Sequence, residues 1–504
     1  MKKPSDSVPD HTPVLVGIAA IQQRCANPND AADAITLMRS AAAKAVDDSG
    51  NPSIVDSIEL ITVPRGMWTY TNPAALIAEH IGAQRSRTQL ADFGILQQTL
   101  IGKACERIAN GDIQAAMVVG GEARYRQLQA QIQQVELNDT AQDDDTPDSQ
   151  LTPAAELWSD IEADAGLGMP VGYYAILESA LCAAAGTSMD SHRDKIARRY
   201  QRFSEIAAGN PDAWSHIAGT GTMTASSIRD ASDKNRMLAF PYTKLHNSQW
   251  NVDQACALLL CSAGLAAALD IPRERWVYPL ASSESNQMLN VAQRPKLAES
   301  VAAHLAAEHV LEHANKTVDD IDFIELYSCF PAAVNLYINA LGISDERDVT
   351  VSGAMPFAGG PVNNFFLQAS VALAKKLREH SNSYGLASCV SGMFTKQAYG
   401  LWSSTEPSTA FKFVDVSADV SEAQQAMTLV EPHQGEVKVV GCTVLFDNNK
   451  PERFVAVCEY PDATRTVSYT RDPVMMTTAL ERNRVGDSLF VDTDGQLTEA
   501  PLEK

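Results

Sequence analysis

The chain has 504 residues, of which 45% are apolar, so it can bury several hydrophobic cores and is expected to fold as about two to four domains. Its formal charge of −22, from 40 Lys and Arg against 62 Asp and Glu, argues against a nucleic-acid or anionic-membrane partner. The sequence lacks a C-x-x-C pair, an 18-residue apolar run and an apolar leader behind its first residues. These features predict a cytoplasmic protein without a metal site or a membrane span.

An internal repeat organises the first four fifths of the chain. Residues 41–63, "AAAKAVDDSGNPSIVDSIELITV", and residues 306–329, "AAEHVLEHANKTVDDIDFIELYSC", each predict a helix, a turn and a buried strand. A short helix ending at glycine follows each copy. Residues 88–108 and 348–377 then each predict a strand and a glycine turn that leads into a helix. The repeat therefore predicts two copies of a βαβαβ-type unit, each a sheet with helices packed on it.

Breaks in this pattern predict the domain boundaries: a first half at 1–265, a second half at 266–403, and an additional domain at 404–504. The first half includes an insertion at about 124–235, which holds an acidic, solvated loop and a helix with clustered basic residues. In the additional domain, apolar and polar residues alternate with turns between them, which predicts a small antiparallel β-barrel of five or six strands. Residues 405–504 hold 9 Lys and Arg against 17 Asp and Glu, so a structural or protein-contact role is favoured over oligonucleotide binding.

The stretch "FAGGPVNN" at 357–364 stands just before a predicted helix. Its glycines, Gly359 and Gly360, allow a ligand to approach the backbone closely, and the N–H groups at the start of a helix are unpaired. Asn363 and Asn364 are able either to cap the helix or to bind an amide-rich ligand such as pantetheine, and capping is the preferred interpretation. No residue of the stretch exchanges a proton near neutral pH.

Four segments carry a resemblance to the thiolase superfamily, in particular to sterol-carrier-type thiolases and bacterial thiolase-like proteins of type 1. The family's "GGAIALGHP" turn resembles "GAMPFAGGP" (353–361), and its "NEAF" or "HDCF" box resembles "YSCF" (327–330). Its "CIGGG" turn resembles "CVSGM" (389–393), and its "GNASGINDGAAA" segment resembles "HNSQWNVDQACA" (246–257). The resemblance covers about residues 13–403.

The resemblance implies a duplicated five-layer α/β/α/β/α core with an inserted loop domain, followed by the additional small β domain of the type 1 group. It implies an acyltransferase of the acetyl-CoA acetyltransferase kind in lipid and fatty-acid metabolism, with a coenzyme A thioester as ligand or substrate and no further cofactor. Thiolases pair through their cores, so a homodimer is one expectation. The appended β domain could instead cover that surface, and a small partner subunit is a further possibility.

The family's catalytic positions differ in this chain. A thiolase uses a cysteine thiolate at a helix N-terminus as nucleophile, a histidine that activates it and a second cysteine that moves a proton. By resemblance Gly94 stands near the nucleophile's position, Gly360 replaces the histidine and Tyr327 replaces the family's Asn or His. Only Cys389 keeps the type of residue that the family uses. The candidate catalytic residues are therefore Cys389 and Tyr327, because a phenol can donate a hydrogen bond to a developing enolate.

The same resemblance assigns a pocket for the substrate or coenzyme A. Its predicted lining residues are Gly94, His246, Asn247, Gly359, Gly360, Asn363 and Asn364. Three larger side chains, Gln249, Trp250 and Gln254, stand where the family has small residues.

Three functions stay open at this point. The first is an acyl-CoA-handling thiolase homologue in which loss of the nucleophile and the histidine makes Claisen or thiolytic activity doubtful. The second is a retro-aldolase, a lyase that acts on a 3-hydroxyacyl-CoA side chain together with a small partner subunit. The third is a non-catalytic scaffold that binds acyl-CoA or presents its β domain to other proteins. Fold-level resemblance does not choose among them.

Overall fold

The computed structural model describes residues 8–155 and 159–500. Its strands are β1 (Pro13–Gln23), β2 (Ile58–Pro64), β3 (Arg87–Ala91), β4 (Ala115–Ala123), β5 (Ser149–Leu151), β6 (Met237–Ala239), β7 (Tyr242–Thr243), β8 (Asp253–Ser262), β9 (Tyr278–Ser285), β10 (Phe323–Glu325), β11 (Tyr384–Ser391), β12 (Lys396–Ser403), β13 (Lys412–Asp415), β14 (Gly435–Asp447), β15 (Lys450–Glu459), β16 (Arg465–Thr470), β17 (Ser488–Val491) and β18 (Leu497–Thr498).

The α-helices lie between these strands. They are α1 (Ala34–Asp48), α2 (Pro73–Ile81), α3 (Gln97–Ala109), α4 (Arg124–Gln133), α5 (Asp160–Asp164), α6 (Pro170–Ala184), α7 (Met189–Ala208), α8 (Trp214–Ala218), α9 (Ala225–Arg229), α10 (Ala263–Ala268), α11 (Val301–His313), α12 (Pro331–Leu341), α13 (Met355–Ala358), α14 (Phe365–Glu379), α15 (Ser417–Ala423) and α16 (Pro473–Glu481).

Two sheets confirm the duplication that the repeat predicts. Sheet 1 has the order β1-β8-β4-β2-β3-β5, and sheet 2 has the order β10-β11-β12-β9-β13. The run β1-β8-β4-β2 corresponds to the run β9-β12-β11-β10, with the same sequence of two antiparallel neighbours followed by a parallel one. The strand-like piece predicted at the start of 348–377 is not a strand in the structure, and the N–H groups of Val351 and Ser352 bond the side chain of Glu325 instead.

The five predicted layers are present. Helices α1 and α2 pack on the outer face of sheet 1, and α11 packs on the outer face of sheet 2 with α12 beside it. Helices α3 and α14 contact strands of both sheets, so they form the middle layer. The central strands β4 and β8 are buried along their whole length because helices cover both faces, which explains their nearly continuous apolar sequences.

Short strands cover one edge of each sheet. β5, from the insertion, pairs in parallel with β3, and β13 pairs in parallel with β9. The acidic loop before β5 is held in place: Asp148 accepts the Thr88 N–H at 2.7 Å, and Asp145 accepts the Asn72 amide at 3.0 Å. Covering an edge strand in this way leaves fewer free backbone groups for pairing with another chain.

The third sheet is antiparallel and has the order β16-β15-β14-β17-β18, with β6 and β7 attached through β14. It has its own hydrophobic core, on which α16 packs. Strand β6 comes from outside the predicted β domain, and β13, at 412–415, belongs to sheet 2 although its alternating sequence suggested the β domain. The boundary at 403/404 thus stays a prediction.

Helix α7 carries the basic cluster that the sequence indicates. Its Lys195 and Arg199 both bind Asp345 of the second half, at 2.6 and 2.7 Å. Arg202 binds Asp348 at 2.8 Å. The basic side chains therefore dock the insertion onto the second half of the core.

Among the helices of the described residues, none combines the length and the apolar character needed to cross a bilayer.

Candidate functional site

The loop that contains "FAGGPVNN" is fixed by the residues just before it. The carboxyl group of Glu325, at the end of β10, accepts the N–H groups of Val351 and Ser352 at 2.7 and 2.8 Å. Beyond this anchor, Ala354 and Val362 adopt positive φ angles of 65° and 45°. Left-handed backbone is rare for valine, so the surrounding contacts determine the course of this loop.

Two side chains, one from the segment before β8 and one from β8 itself, occupy the space above Gly359 and Gly360. A β-carbon on Gly360 would lie 1.9 Å from the hydroxyl oxygen of Ser248, and one on Gly359 would lie 2.2 Å from Oε1 of Gln254. Gln254 also donates to the Ala358 carbonyl at 3.0 Å, and the Gly360 N–H donates to the Gln249 carbonyl at 2.8 Å. The loop is therefore packed against polar side chains, and a histidine at position 360 would require Ser248 to move.

Asn364 stands at the N-cap position of α14, as predicted, but the side-chain hydrogen bond of a cap does not form. Neither Asn363 nor Asn364 caps α14 with its side chain. Instead the Asn363 amide donates to the Arg65 carbonyl at 3.2 Å, and the Asn364 amide lies against Gly120, where a β-carbon would come within 2.5 Å of Oδ1. Both asparagines thus join α14 to sheet 1.

The thiol of Cys389 lies beside the N-terminus of helix α3, next to Gln97, a residue that the sequence analysis did not identify. The thiol of Cys389 donates to Oε1 of Gln97 at 3.4 Å, and the Gln97 amide donates to Oδ1 of Asn363 in a short hydrogen bond. Burial raises the pKa of Cys389 to about 12, and the backbone N–H groups of Gln98 and Gln97, which bond the sulfur, offset this only in part. The structure thus connects Cys389 and Asn363 through one buried amide.

Gln97 and Gln98, rather than Gly94 or Ile95, bond the sulfur of Cys389, and of the two side chains it is that of Gln97 which accepts the thiol. Gly94 has a positive φ of 96°, and its carbonyl accepts the amine of Lys396 at 2.6 Å. The only signal for Gln97 in the sequence is the pair of glutamines in the otherwise apolar run "GILQQTLIG".

Tyr327 lies next to Ser388, the residue before Cys389 in strand β11. Its backbone N–H donates to the Ser388 hydroxyl at 2.9 Å, and its ring contacts Phe365 edge-on at 5.5 Å between centroids. The ring is 8% exposed, and its hydroxyl makes no hydrogen bond to any part of the chain that the structure describes. Burial, with a contribution from Cys329 and Cys389, raises the pKa of Tyr327 well above its usual value, so this phenol is a hydrogen-bond donor at neutral pH.

His246 and Asn247 both bond Thr243, and neither forms a bond with Cys389 in the described structure. Nδ1 of His246 accepts the Thr243 N–H at 3.2 Å, which places the proton of the neutral ring on Nε2. Burial, together with the nearby charge of Arg193, lowers the pKa of His246 to about 3, so the ring is neutral above that pH. Asn247 donates to the Thr243 carbonyl at 2.7 Å, while its own Oδ1 is buried without a partner in the described chain.

Around Cys389 and the two glycines, the polar side chains that form contacts carry amides and hydroxyls. Glu325, whose pKa burial raises to about 7, is held by the N–H groups and hydroxyls of the loop that it anchors. A thiol with a pKa of about 12 is ionised in roughly one molecule in 10⁵ at pH 7, and the backbone of Gly360 holds no base. Within the described residues, no group of three His, Cys, Asp or Glu side chains is arranged to hold a metal ion. Other cysteines are structural: Cys105 is fully buried in α3, and Cys329 bonds Tyr174.

Comparison with known proteins supports the fold directly. No protein-family model and no curated protein sequence matches the chain. The crystal structure of a monomeric SCP2-thiolase like protein type 1 (STLP1) from Mycobacterium smegmatis is similar at a TM-score of 0.81 and 23% identity, over 96% of this chain and 97% of that one.

Two further structures match only part of the chain. The Ltp2-ChsH2(DUF35) aldolase aligns at a TM-score of 0.57 and 16% identity, over 78% of this chain and 98% of that one. Acetyl-CoA acetyltransferase from Syntrophomonas wolfei aligns at a TM-score of 0.54 and 18% identity, over 78% of this chain and 99% of that one. With the duplicated sheets and the shared middle layer, these similarities show that the chain has the fold of the thiolase superfamily.

Proposed function

We propose that this protein binds acyl-CoA thioesters in lipid or fatty-acid metabolism, in the cytoplasm, and does not catalyse Claisen condensation or thiolysis. The observation that carries the proposal is the position of Gln97. Its amide group stands against the sulfur of Cys389 at the start of α3, where a transferase of this fold would need a thiolate.

Acyl transfer through cysteine requires an ionised sulfur and a base that takes up its proton. Burial holds the pKa of Cys389 near 12, and Ser248 fills the space in which a side chain at position 360 would lie. Loss of an activated nucleophile and its base together removes several orders of magnitude of rate. The site is therefore a degenerate form of a transferase site.

Retained binding is supported by the polar groups around the glycine loop. The pantetheine arm of coenzyme A contains two amide bonds, which need both donors and acceptors when they are buried. Oδ1 of Asn247 is a buried acceptor without a partner in the described chain, and the hydroxyl of Tyr327 is a donor without one. A ligand that carries amides and a thioester carbonyl would satisfy both groups.

The test is calorimetric titration of the purified protein with coenzyme A, acetyl-CoA and a long-chain acyl-CoA. We expect dissociation constants in the micromolar range, and a loss of at least fivefold in Asn247→Ala. Asn339→Ala, which changes an exposed asparagine of α12, is the matched control and should bind like the wild type. Absence of binding heat with all three ligands would overturn the proposal in favour of a scaffold, and thiolysis of a 3-ketoacyl-CoA would overturn the claim about chemistry.

A retro-aldolase is the second candidate, and the unpartnered hydroxyl of Tyr327 favours it. A neutral phenol that donates to a thioester carbonyl stabilises the enolate released when a 3-hydroxyacyl-CoA side chain is cleaved. The partly similar Ltp2-ChsH2(DUF35) aldolase contains a second protein, so a small partner subunit is part of this proposal. Incubating the protein, alone and with candidate small partner proteins, with 3-hydroxyacyl-CoA tests it: cleavage that Tyr327→Phe abolishes would support the lyase. Binding without any cleavage would leave acyl-CoA binding as the function.

A further inference from the structure

A cavity of about 500 Å³ runs along helix α3. Its apolar wall is formed by Leu60, Ile95, Leu100, Ala104, Leu151 and Met288. A volume of this size falls in the range of small-molecule sites, and a mostly apolar wall with a few convergent polar groups is typical of them. Leu151 belongs to β5, so the strand that covers the edge of sheet 1 also closes one side of this cavity.

A buried amine lies in the wall of the cavity. Lys396 is only 4% exposed, and its Nζ donates to the carbonyl of Gly94 at 2.6 Å. No carboxylate in the described residues lies within 4.0 Å of this amine. Glu284, in the same wall, acts on Lys396 only through longer-range electrostatics. Burying an ammonium group without a carboxylate in direct contact is costly, so an anion from outside the chain would find a hydrogen-bond donor here.

The other charged groups of the wall reinforce this positive character. Thr99, Lys103 and Arg107 follow one another at intervals of four along α3, and all three line the cavity. Arg107 forms no ion pair with any described residue, whereas Glu284 is the single acidic residue of the wall and accepts a short hydrogen bond from Thr99. Lys103 forms an ion pair with Glu106 at 3.1 Å, so Lys396 and Arg107 are the cations of the wall that form no ion pair within the described residues.

We infer that this cavity binds an amphipathic monocarboxylate of the fatty-acid class, with its carboxylate at Lys396 and its hydrocarbon chain against the apolar wall. An apolar body alone would not need the buried amine, and a small inorganic anion would leave most of the wall in contact with water. Lys103 and Arg107 lie nearer the outside and would attract an anion toward the cavity. None of the residues assigned to the acyl-CoA pocket lines this cavity, although Lys396 bonds the carbonyl of Gly94, which is one of them, so the two sites would be neighbours with different walls.

The test uses decanoate as the probe, in equilibrium dialysis with the full-length protein, and decanol as the uncharged comparison. Wild type should bind one decanoate per chain, at least tenfold more tightly than decanol. Lys396→Met should weaken decanoate binding at least tenfold while leaving decanol binding unchanged. Lys438→Met, which removes an exposed lysine of β14, is the matched control and should behave like wild type.

A second variant guards against a folding defect in Lys396→Met. Ala104→Phe places a ring into the cavity from α3 and should abolish binding of both probes, with an unchanged circular dichroism spectrum. It should leave titration with acetyl-CoA as in the wild type, so failure of this inference is distinguishable from failure of the acyl-CoA proposal. Equal affinity for decanol and decanoate, or wild-type decanoate binding by Ala104→Phe, would overturn the inference.

Discussion

The hydroxyl oxygen of Ser248 lies 1.9 Å from the point at which a β-carbon on Gly360 would stand. The side chain of Ser248, from the segment before β8, therefore packs directly against the loop "FAGGPVNN". Any side chain at position 360 has to displace that hydroxyl, which is a matter of packing rather than of local backbone preference.

The first prediction concerns this contact. Gly360→Ala should reduce the free energy of unfolding by about 1–2 kcal/mol, the usual cost of overpacking, measured by urea denaturation. Ser248→Ala combined with Gly360→Ala should recover at least about 0.5 kcal/mol, because the two positions are in contact. Gly168→Ala is the matched control, since a β-carbon there meets no atom within 4 Å. Additive effects of the two substitutions would contradict the contact.

The second prediction concerns thiol reactivity. Cys25 is partly exposed, whereas the other eight cysteines are buried, and burial raises the pKa of Cys389 to about 12. Native protein treated with iodoacetamide at neutral pH should therefore gain about one alkyl group, at Cys25, and about nine in guanidinium chloride. Peptide mass spectrometry identifies the sites. Alkylation of native Cys389 as fast as Cys25 would show an accessible thiolate and would refute the assignment of a degenerate site.

The third prediction concerns pH and Glu122 in β4. This carboxyl is 2% exposed and accepts the Met67 N–H at 2.8 Å; burial raises its pKa from 4.5 to about 7. Between those two values the folded protein binds more protons than the unfolded chain, so this group's contribution to stability is full below pH 4.5 and is lost as the pH rises toward 7.

Glu122→Gln keeps the shape of the side chain and removes its titration. Relative to the wild type, the variant should gain about 2–3 kcal/mol of stability between pH 5 and pH 8, measured by urea denaturation at each pH. Glu136→Gln, at an exposed position after α4, is the control and should show no such change. Parallel pH profiles for wild type and Glu122→Gln would show that Glu122 is ionised in the folded protein.

The fourth prediction concerns the edge of sheet 1. Because β5 pairs with β3, we expect the wild type to be monomeric in light scattering. Ser149→Pro combined with Leu151→Pro should release β5 and expose the edge of β3, so that dimers or larger species form. The same pair of proline substitutions at exposed Gln131 and Gln133 of α4 controls for disruption elsewhere. A dimeric wild type would show that another surface mediates pairing.

Much of the fold could be predicted from the sequence, because apolar residues at fixed spacing have few ways to become buried. The repeated helix-turn-strand segments predict two similar sheets, and both sheets have the same strand order in their shared part. The sequence did not predict that β6, which precedes the predicted β domain, joins the third sheet. Nor did it predict that β13, which lies within the predicted bounds of that domain, joins sheet 2. Short strands with alternating residues fit any sheet edge equally well, so their partners depend on which edge lies near.

The candidate site was predicted less completely than the fold. Resemblance led to Cys389 and the glycine loop, and the structure connects Cys389 with Asn363. It placed Gly94 near the nucleophile's position, which stays a prediction, and it did not identify Gln97, whose amide lies against the sulfur of Cys389. The sequence does not give the geometry of the turn before α3, so it leaves open which residue of that turn lies next to Cys389. Helix α3 begins only at Gln97.

The sequence by itself determined the chemical inventory of this protein: glycine at position 360, a cysteine at position 389 and two glutamines at positions 97 and 98. Only the tertiary structure decided what those residues do, because it buries the thiol of Cys389, sets the Gln97 amide against it and fills the space above Gly360 with Ser248. It also decided that Lys396 lies in the wall of a cavity, with no carboxylate of the described residues within 4.0 Å of its amine. The physical reason is that pKa values, close contacts and cavities depend on groups distant in sequence, whereas residue types and their spacing do not.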